Sequence, residues 1–492
     1  MRLCLRRDEA REMFFFGFDN YLKHGLPKDE VRPISCRGHD SQGGIAITLI
    51  DSLDTLLLMG GERQLVEAVR WLEQNISFDL DKRVHVFELT IRALGGLLST
   101  HVLLTRNAAI MPEYSGGLLR LATDLGDRLL PAFETPSGIP LSWVNLRKGV
   151  PAGETRVTCT ACAGTLLLEL GLLSRLTGNP VYEHKALHAA RQVYGIRSTA
   201  TGLVGNTLNA DSLNWERLDA SIGAGVDSFY EYLLKAYLQF GDEEYLNMFS
   251  NLYAAAMRHL RPADAGWAAR GWLGEVHLHS GVVMQPWISS LSAFWPGLQA
   301  LIGQTDDAAL LHGNWTAAWK TFGWLPELFD AGVTQRHPLQ RGYPLRPELI
   351  ESTYLLHAAT GDGAYLEAGR LFQSTLAEHN RQKCGFASVA DVATGALEDT
   401  MESFFLSETT KYLYLLNSNA TALPDHYIFS TEGHLLPVLA SPGDSGDVGG
   451  ECRLPKTSEG RQGERAIAGG VEGDAEGNEG VGGGRTLIGD PW

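Results

Sequence analysis

The sequence predicts an all-α domain made of seven helical hairpins, because helix endings recur along it at even intervals and strand patterns are sparse. A glycine that would end a helix, followed by a polar residue and a new amphipathic run, recurs at intervals of 56 to 63 residues, about twice an ordinary helix with its loops. These glycines are Gly61, Gly117, Gly178, Gly241, Gly303 and Gly361. Alternation of apolar and polar residues supports only small ribbons.

Three of the junctions between these units resemble one another in detail. Residues 177–182, 240–245 and 360–365 each place a polar cap at or just after the glycine and an aromatic residue a few positions later. With the stretch before Gly61 and a further break near Asn419, the spacing indicates seven units between about residue 8 and residue 440. Such hairpins can stack as an open solenoid or close into a toroid, and the spacing leaves both arrangements open.

The composition changes at Ser441. Glycine, glutamate and serine crowd the run from Gly443 to Gly484, and aromatic residues are almost absent from it. A segment of this composition buries too little apolar surface to offset the entropy lost on ordering. We therefore expect one domain over residues 8–440 and a disordered tail without a catalytic role over residues 441–492.

The charge of the chain limits its partners. The formal net charge is -17, which disfavours a nucleic-acid backbone or an anionic membrane and favours a neutral or cationic ligand. The most apolar stretch, residues 45–60, contains Asp51 and Asp54 and is shorter than the roughly 20 residues of a membrane span. The first residues show no apolar leader with a cleavage site. We therefore expect no transmembrane segment.

Six cysteines are too few for a disulfide scaffold and lack zinc-finger spacing with histidine. Cys159 and Cys162 form a C-x-x-C pair, which we expect to be two buried thiols. Three N-x-[ST] sequons, at Asn75, Asn314 and Asn419, are compatible with a secretory compartment. Sequons also arise by chance in a chain of this length, so they indicate the compartment only weakly.

Several carboxylates stand inside apolar helical segments, where an unpaired charge is costly and therefore needs a partner or a task. Glu88 precedes Arg92 by four residues, which suits either a helix ion pair or a site. Asp227 heads an aromatic helix, where it suits either a helix cap or a site. Asp51 and Asp54, in an early apolar helix, are expected to be buried structural acids.

Further acids stand among apolar or aromatic residues in the last third of the chain. They are Glu348, Glu351, Glu402, Glu408 and Glu432, the last of these directly after Thr431. In a closed toroid the helix starts would converge on one pocket rich in acids and aromatics. Carboxylates for acid and base catalysis, ring faces for sugar and hard oxygen ligands for calcium are the composition of a glycosidase site. A helical scaffold without a pocket would leave these acids unexplained.

Four motifs carry a resemblance to a known family: residues 32–40 (RPISCRGHD), 49–56 (LIDSLDTL), 295–299 (WPGLQ) and 342–348 (GYPLRPE). With them, the sequence strongly resembles glycoside hydrolase family 47, the calcium-dependent α-1,2-mannosidases, from about Phe14 to Pro437. Within that family it is most similar to the endoplasmic reticulum (ER) degradation-enhancing α-mannosidase-like (EDEM) proteins. The resemblance implies an (α/α)7 barrel, which agrees with the seven hairpins counted from the spacing.

The resemblance also implies roles for the acids. The family's inverting mechanism places carboxyls roughly 6.5 to 9.5 Å apart to hold the attacking water. Glu88 and Asp227 match the acid side, with no choice between them, and Glu348 matches the base. Thr431 matches the threonine that binds Ca²⁺ through its carbonyl and hydroxyl, with Gly433 in place of the family's alanine. The residues that match those around the terminal mannose are Arg92, Arg346, Glu351, Glu402, Phe404, Glu408 and Glu432.

The implied activity is the trimming of mannose from high-mannose N-glycans on misfolded glycoproteins in the ER lumen, which promotes ER-associated degradation. The alternative is a receptor that binds these glycans without turnover, and the intact acids favour the enzyme. Residues 279–284 (HSGVVM) lack the histidine–leucine pair of the processing mannosidases, which puts efficient trimming of free glycans in doubt. Cys36 and Cys384 lie in EDEM-like motifs and are expected to form a disulfide, consistent with a protein disulfide isomerase-like partner.

Overall fold

An inner ring of seven helices organises the structure, a computed structural model that describes residues 2–261, 267, 270–418 and 426–439. Each inner helix packs against the next, and the ring closes where Phe405–Thr409 contacts the first inner helix. The inner helices are Leu53–Leu58, Gly95–Arg106, Leu167–Thr177, Asp227–Phe240, Trp295–Leu301, Glu348–Thr360 and Thr410–Leu416. The all-α class and the seven hairpins are therefore confirmed, and the hairpins form a closed toroid.

An outer helix packs against each inner helix. The outer helices are Arg2–His24, Glu62–Asn75, Gly117–Leu129, Val181–Gly195, Glu243–His259, Thr305–Phe322 and Gly363–Thr375. Their apolar residues face the ring: the Glu62–Asn75 helix, for example, buries Leu65, Val69 and Leu72. The Arg2–His24 helix packs against Thr410–Leu416, so the start and end of the domain share one hairpin. Three short helices, Ile47–Asp51, Val86–Glu88 and Thr160–Gly164, precede inner helices.

Irregular helical turns interrupt the regular pattern. The wide π-helical segments are Leu89–Leu94, Leu376–Asn380 and Phe405–Thr409, and the tighter 3₁₀ segments are Leu130–Phe133 and Ser290–Phe294. The π-helical segments at Leu89–Leu94 and Phe405–Thr409 lead directly into inner helices. Wide turns of this kind are often found at functional sites, because they change the direction of the side chains they carry.

The strands are short antiparallel ribbons between helices, as predicted. The pairs are Glu30–Arg32 with Arg37–His39, Arg83–His85 with Trp143–Asn145, Val157–Cys159 with Thr207–Asn209, Trp287–Ser289 with Leu328–Asp330, Arg381–Gln382 with Gly385–Phe386, Ser388–Asp391 with Ala396–Glu398, and Tyr427–Phe429 with Leu435–Pro437. One three-stranded sheet has the order Asp219–Ala220, Glu275–His277, Val283–Gln285.

The glycines of the repeat end helices in the later units, with differences in the first two. Gly178, Gly241 and Gly361 cap inner helices with φ of 74°, 77° and 70°, a conformation that glycine adopts without steric cost. In the first unit the left-handed residue is Gly60, just after the Leu53–Leu58 helix and one position before the predicted Gly61. The prediction for Gly117 is wrong, because Gly117 begins the outer helix Gly117–Leu129, with Gly116 as its N-cap, and the preceding inner helix already ends at Arg106.

Two disulfides are present among the described residues. Cys36 and Cys384 are joined, with Cα atoms 5.4 Å apart, and connect the ribbon after the Arg2–His24 helix to the ribbon before the Thr410–Leu416 helix. Cys159 and Cys162 are also joined, so the expectation of two buried thiols is wrong. Both of these residues are 7% exposed, and burial alone did not show whether their sulfurs were bonded.

Some predictions fall outside the described residues or concern the chain's surface. The tail from residue 441 and the sequon at Asn419 lie outside the described residues. Asn75 is exposed at the end of a helix, whereas the Asn314 amide lies within a helix and donates hydrogen bonds to two backbone carbonyls.

The segment Val86–Arg106 is long and apolar enough to span a bilayer, and 89% of its most apolar 18-residue window is buried inside the protein.

Candidate active site

Glu88 and Arg92 form the first part of the candidate site. Glu88 ends the short Val86–Glu88 helix, and Arg92 lies four residues later in the π-helical segment. Arg92 Nε donates to Glu88 Oε2 at 2.8 Å, and its Nη1 donates to Ser403 Oγ at 3.0 Å. The guanidinium also lies 5.3 Å from the centre of the Phe404 ring. The predicted helix ion pair therefore exists and belongs to a larger polar cluster.

The charge of Glu88 is fixed by these neighbours. Burial opposes the ionised form, but Arg92 and His85 outweigh it and hold the pKa of Glu88 below its ordinary value. The side chain keeps 27% of its surface exposed, whereas that of Arg92 keeps 10%. Glu88 is thus a carboxylate at neutral pH with one side open to a ligand.

Asp227 differs from Glu88 in its protonation. It is the first residue of the Asp227–Phe240 helix, directly after the N-cap residue Val226, and so is not itself the cap. The Ser228 backbone N–H donates to Asp227 Oδ1 at 2.8 Å. Burial nevertheless raises the pKa of Asp227 to about 7. Both the protonated and the ionised form of this carboxyl are therefore populated near neutral pH.

Glu348 lies at the start of the Glu348–Thr360 helix, beside Arg346. Arg346 makes a two-pronged contact with Glu327, at 2.6 and 2.9 Å, and its Nη1 lies 3.8 Å from Glu348 Oε1. Burial raises the pKa of Glu348 to about 8, although Arg346 lowers it. Because Glu327 takes the two close contacts of the guanidinium, Glu348 is only partly compensated.

Arg346 lies within electrostatic range of all three predicted acids. The positive charge of its guanidinium lowers the pKa of Glu88, of Asp227 and of Glu348. These acids come from three different hairpins, and all three keep part of their surface exposed. Three partly exposed carboxyls of different protonation therefore lie within electrostatic range of one guanidinium.

Two further acids in this cluster are buried and repel one another. Burial raises the pKa of Glu408 well above its ordinary value, and Glu432, Glu351 and Glu348 raise it further. Burial also raises the pKa of Glu432, although Arg92 lies 3.2 Å away. The charge of Glu402 acts on two cations of this cluster, because it raises the pKa values of Arg92 and Arg346. Such a group of acids lowers its free energy by binding a proton or a cation.

Glu351 has a separate partner that the sequence analysis missed. Lys235 Nζ lies 3.6 Å from Glu351 and also contacts Glu231 on its own helix. Tyr412 Oη donates to Glu351 at 3.4 Å. Burial raises the pKa of Glu351 to about 7 in spite of Lys235. Glu231 and Lys235 stand four residues apart in an apolar helix, so the spacing that singled out Glu88 and Arg92 would have found them.

A buried ionic network supports the loop that carries Thr431 and Glu432. Lys411 Nζ lies 3.0 Å from Asp54, and His434 bridges Asp54 at 3.2 Å and Asp51 at 3.1 Å. The side chains of all four residues are 0% exposed. Asp51 and Asp54 are therefore structural acids, as predicted, and they hold a loop that lies far away in sequence.

Two observations test whether the surroundings of Thr431 fit a hard cation. Glu432 Oε1 is buried and has no hydrogen-bond donor among the described residues, because Arg92 lies off the hydrogen-bond direction. The repelling acids Glu408 and Glu432 also favour a nearby positive charge. Within the described ranges no three Asp, Glu, His or Cys side chains form a metal cage. The residues thus fit a cation held by the Thr431 oxygens and water.

Comparison with known proteins agrees with this geometry. The sequence profile of glycosyl hydrolase family 47 matches residues 13–438, nearly the whole described domain. The chain belongs to glycosyl hydrolase family 47. It is therefore a glycoside hydrolase of the α-mannosidase type, and the resemblance stated from four short motifs is confirmed.

Relatives in this family extend over most of the chain. The α-mannosidase I MNS4 of Arabidopsis thaliana is 48% identical over 441 residues, which cover 88% of this chain and 69% of that protein. The human ER degradation-enhancing α-mannosidase-like protein 2 is 44% identical over 458 residues, covering 88% and 78%. The α-1,2-mannosidase from Trichoderma reesei has the same fold, with a TM-score of 0.81 and 27% identity, over 88% of this chain and 99% of its own.

Proposed function

We propose that this family 47 enzyme releases α-1,2-linked mannose, with inversion, from high-mannose N-glycans on misfolded glycoproteins, and so promotes ER-associated degradation. The observation that carries the proposal is the set of three partly exposed carboxyls within electrostatic range of Arg346, one held charged and two with raised pKa values. Glycoside hydrolysis by inversion requires such a division between an acid and a base.

Asp227 is the better proton donor of the two candidates. Its pKa of about 7 leaves a proton on the carboxyl near neutral pH, and only one of its oxygens accepts hydrogen bonds from Ser228. Glu88 is held ionised by Arg92 at 2.8 Å and has no proton to give. Glu88 instead stabilises positive charge that develops on the sugar ring in the transition state.

Glu348 is assigned as the base that takes a proton from the attacking water. A base must be ionised, whereas burial raises the pKa of Glu348 to about 8 in the protein alone. Glu348 and Glu432, the residue after Thr431, both raise the pKa of Glu408. A cation held by Thr431 would supply positive charge that favours the ionised form of nearby carboxylates.

Calcium is the cation that the donor set suits best. The Thr431 carbonyl and hydroxyl would hold it, with waters and sugar hydroxyls completing six to eight oxygen ligands. When bound, the ion supplies positive charge that orients hydroxyls of the terminal mannose. The sugar would lie among Arg92, Arg346, Glu351, Glu402, Phe404, Glu408 and Glu432. The Phe404 ring offers an apolar face, and the carboxylates accept hydrogen bonds from sugar hydroxyls.

The ER lumen is the proposed location, by likeness to the EDEM-named relatives. Its oxidising conditions would preserve the disulfides Cys36–Cys384 and Cys159–Cys162. A protein disulfide isomerase-like oxidoreductase is the proposed partner, because two disulfides require formation and one of them joins residues 348 positions apart.

Mannose release from a denatured high-mannose glycoprotein tests the proposed function. We expect the purified chain to shorten the glycans, measured by mass spectrometry, and to stop when a chelator removes calcium. Chelation is also expected to lower the melting temperature, because a ligand at a hundred times its Kd stabilises the folded state by about 2.7 kcal/mol. Glycan binding without any release in calcium would instead indicate a receptor.

The choice of Asp227 as the donor predicts a pH dependence. The donor must be protonated, so kcat/KM is expected to fall as the pH rises through about 7, where Asp227 loses its proton. The decline should approach tenfold per pH unit on the alkaline side, in a profile from about pH 4 to about pH 9. A decline already complete below about pH 5 would assign the donor to Glu88, whose pKa lies below its ordinary value.

A further inference from the structure

We propose that the Cys159–Cys162 disulfide is a reducible brace that positions both Glu88 and Asp227, so that its reduction lowers the rate of mannose release. The inference rests on the proposed function for its kinetic readout. It assigns a positioning role to two residues that touch neither the sugar nor the proposed cation site.

The disulfide lies at a strand-to-helix junction inside the protein. Cys159 ends the strand Val157–Cys159 and caps the helix Thr160–Gly164, and its Sγ accepts a hydrogen bond from the Cys162 N–H at 2.9 Å. All residues of this short helix are buried. The sulfurs pack with Ala161 in a small apolar cluster separate from the main core.

One set of contacts connects this junction to Glu88. Phe87, the residue directly before Glu88, packs against the cluster of Cys159, Ala161 and Cys162. The Thr158 hydroxyl is 2.9 Å from the Ser142 hydroxyl, and the Ser142 carbonyl accepts from the Val86 N–H at 2.8 Å. Both residues that precede Glu88 are therefore held by the strand and turn that the disulfide closes.

A second set connects the junction to Asp227. The Ala161 N–H, inside the ring closed by the disulfide, donates to the Gly225 carbonyl at 2.8 Å. Gly225 has φ of 86° and approaches Asn206 so closely that a Cβ would lie 2.5 Å from its amide oxygen. Past the helix, the Thr165 hydroxyl lies 2.9 Å from that of Ser228, which contacts Asp227. The turn before Asp227 thus has little freedom to move independently.

The two disulfides differ in what they constrain. Cys36 and Cys384 close a loop of 348 positions, which restricts the unfolded chain strongly. Cys159 and Cys162 are 3 positions apart, so their bond restricts the unfolded chain little and acts mainly on local geometry. Opening the Cys159–Cys162 bond should therefore affect the rate of mannose release more than it affects the free energy of unfolding.

Reduction would follow ordinary thiol–disulfide exchange. A thiolate of a dithiol, such as an oxidoreductase or dithiothreitol, attacks one sulfur and releases the other as a thiolate, which takes up a proton. The second thiol of the reductant, giving up its proton, then displaces the remaining cysteine, leaving two protein thiols and an oxidised reductant. The two sulfurs, no longer bonded, must separate to van der Waals contact, which changes the packing of the cluster that Phe87 contacts.

The expected effect is a loss of turnover without a loss of fold. Misplacing catalytic groups by about 1 Å can reduce a rate by about 10²-fold, so we expect kcat to fall roughly ten- to a hundredfold on reduction, with little change in KM. Amide hydrogen exchange is expected to accelerate in residues 85–92 and 223–230, because these segments lose their support. The identity of the opened bond is read from the mass of alkylated peptides.

Matched variants separate the two disulfides. Cys36→Ser/Cys384→Ser is expected to keep the response of kcat to dithiothreitol, whereas Cys159→Ser/Cys162→Ser should start at the reduced rate and not respond. If the serine variant misfolds, Cys159→Ala/Cys162→Ala replaces it. Wild-type protein reduced with dithiothreitol tests the same loss of the bond without any substitution. Unchanged kcat and unchanged exchange, with both thiols shown to be free, would overturn the brace. Absence of mannose release from oxidised wild type would refute the proposed function, and the exchange data would still decide on the brace.

Discussion

Replacement of Glu348 by glutamine is expected to reduce mannose release by roughly 10²- to 10⁴-fold, the usual contribution of a general base. The amide keeps the shape of the side chain but cannot take a proton from water. Its oxygen can still face Arg346, which lies 3.8 Å from the native carboxylate. Glycan binding, measured by titration calorimetry with a high-mannose glycopeptide, is therefore expected to persist.

A matched control distinguishes the loss of the carboxylate at position 348 from the loss of a carboxylate elsewhere in the protein. Glu62 is exposed in the first turn of the Glu62–Asn75 helix, on the outside of the ring, so Glu62→Gln should leave turnover unchanged. Full activity of Glu348→Gln would show that the base is a different residue. Loss of glycan binding together with turnover would show that Glu348 contributes to sugar affinity.

Removal of the Cys36–Cys384 disulfide is expected to lower the free energy of unfolding by about 6 kcal/mol, because a cross-link that closes a long loop reduces the entropy of the unfolded chain. The bond spans 348 positions, and the Cys384 N–H also donates to the Pro33 carbonyl at 2.9 Å. It fastens the ribbon after the Arg2–His24 helix to the ribbon before the Thr410–Leu416 helix, where the ring closes. Urea unfolding of Cys36→Ser/Cys384→Ser measures the change.

The short disulfide provides the comparison for this stability prediction. By the same chain-entropy relation, Cys159→Ser/Cys162→Ser should cost only about 2 kcal/mol, because the loop it closes is short. Equal losses in the free energy of unfolding for the two double variants would contradict the proposal that the Cys36–Cys384 disulfide stabilises the closure of the ring. A loss below about 1 kcal/mol for Cys36→Ser/Cys384→Ser would show that helix packing alone closes the ring, since such a loss lies far below the value expected from chain entropy.

The repeat of helix-ending glycines was enough to predict seven hairpins, because glycine in the left-handed conformation is a local requirement of the chain. Closure of the ring was beyond this signal. It depends on contacts such as that of Lys411 with Asp54, 357 positions apart, and of His434 with Asp51, 383 positions apart. Side chains that meet at such separations leave no periodic pattern in the sequence.

The candidate site was predicted as a set of residue types and matched motifs, and the protonation of its acids could not be predicted in this way. Glu88 and Asp227 looked alike in the sequence, as acids in apolar helices. The structure separates them because Arg92 lies 2.8 Å from Glu88, whereas among the described residues the Asp227 carboxyl accepts hydrogen bonds only from Ser228. The Leu89–Leu94 π-helical turn that carries Arg92 has no evident sequence signal. The C-x-x-C spacing of Cys159 and Cys162 was visible in the sequence, but it did not show whether the two sulfurs are bonded.

The configuration of the first mannose released tests the central claim most directly. Nuclear magnetic resonance during the first minutes of reaction distinguishes the two anomers before they interconvert. Hydrolysis of an α-linkage by an acid and a base on opposite faces of the sugar predicts β-mannose as the initial product, formed only with calcium present and absent with Glu348→Gln. Initial release of α-mannose, or no release by the wild-type chain, would contradict the account.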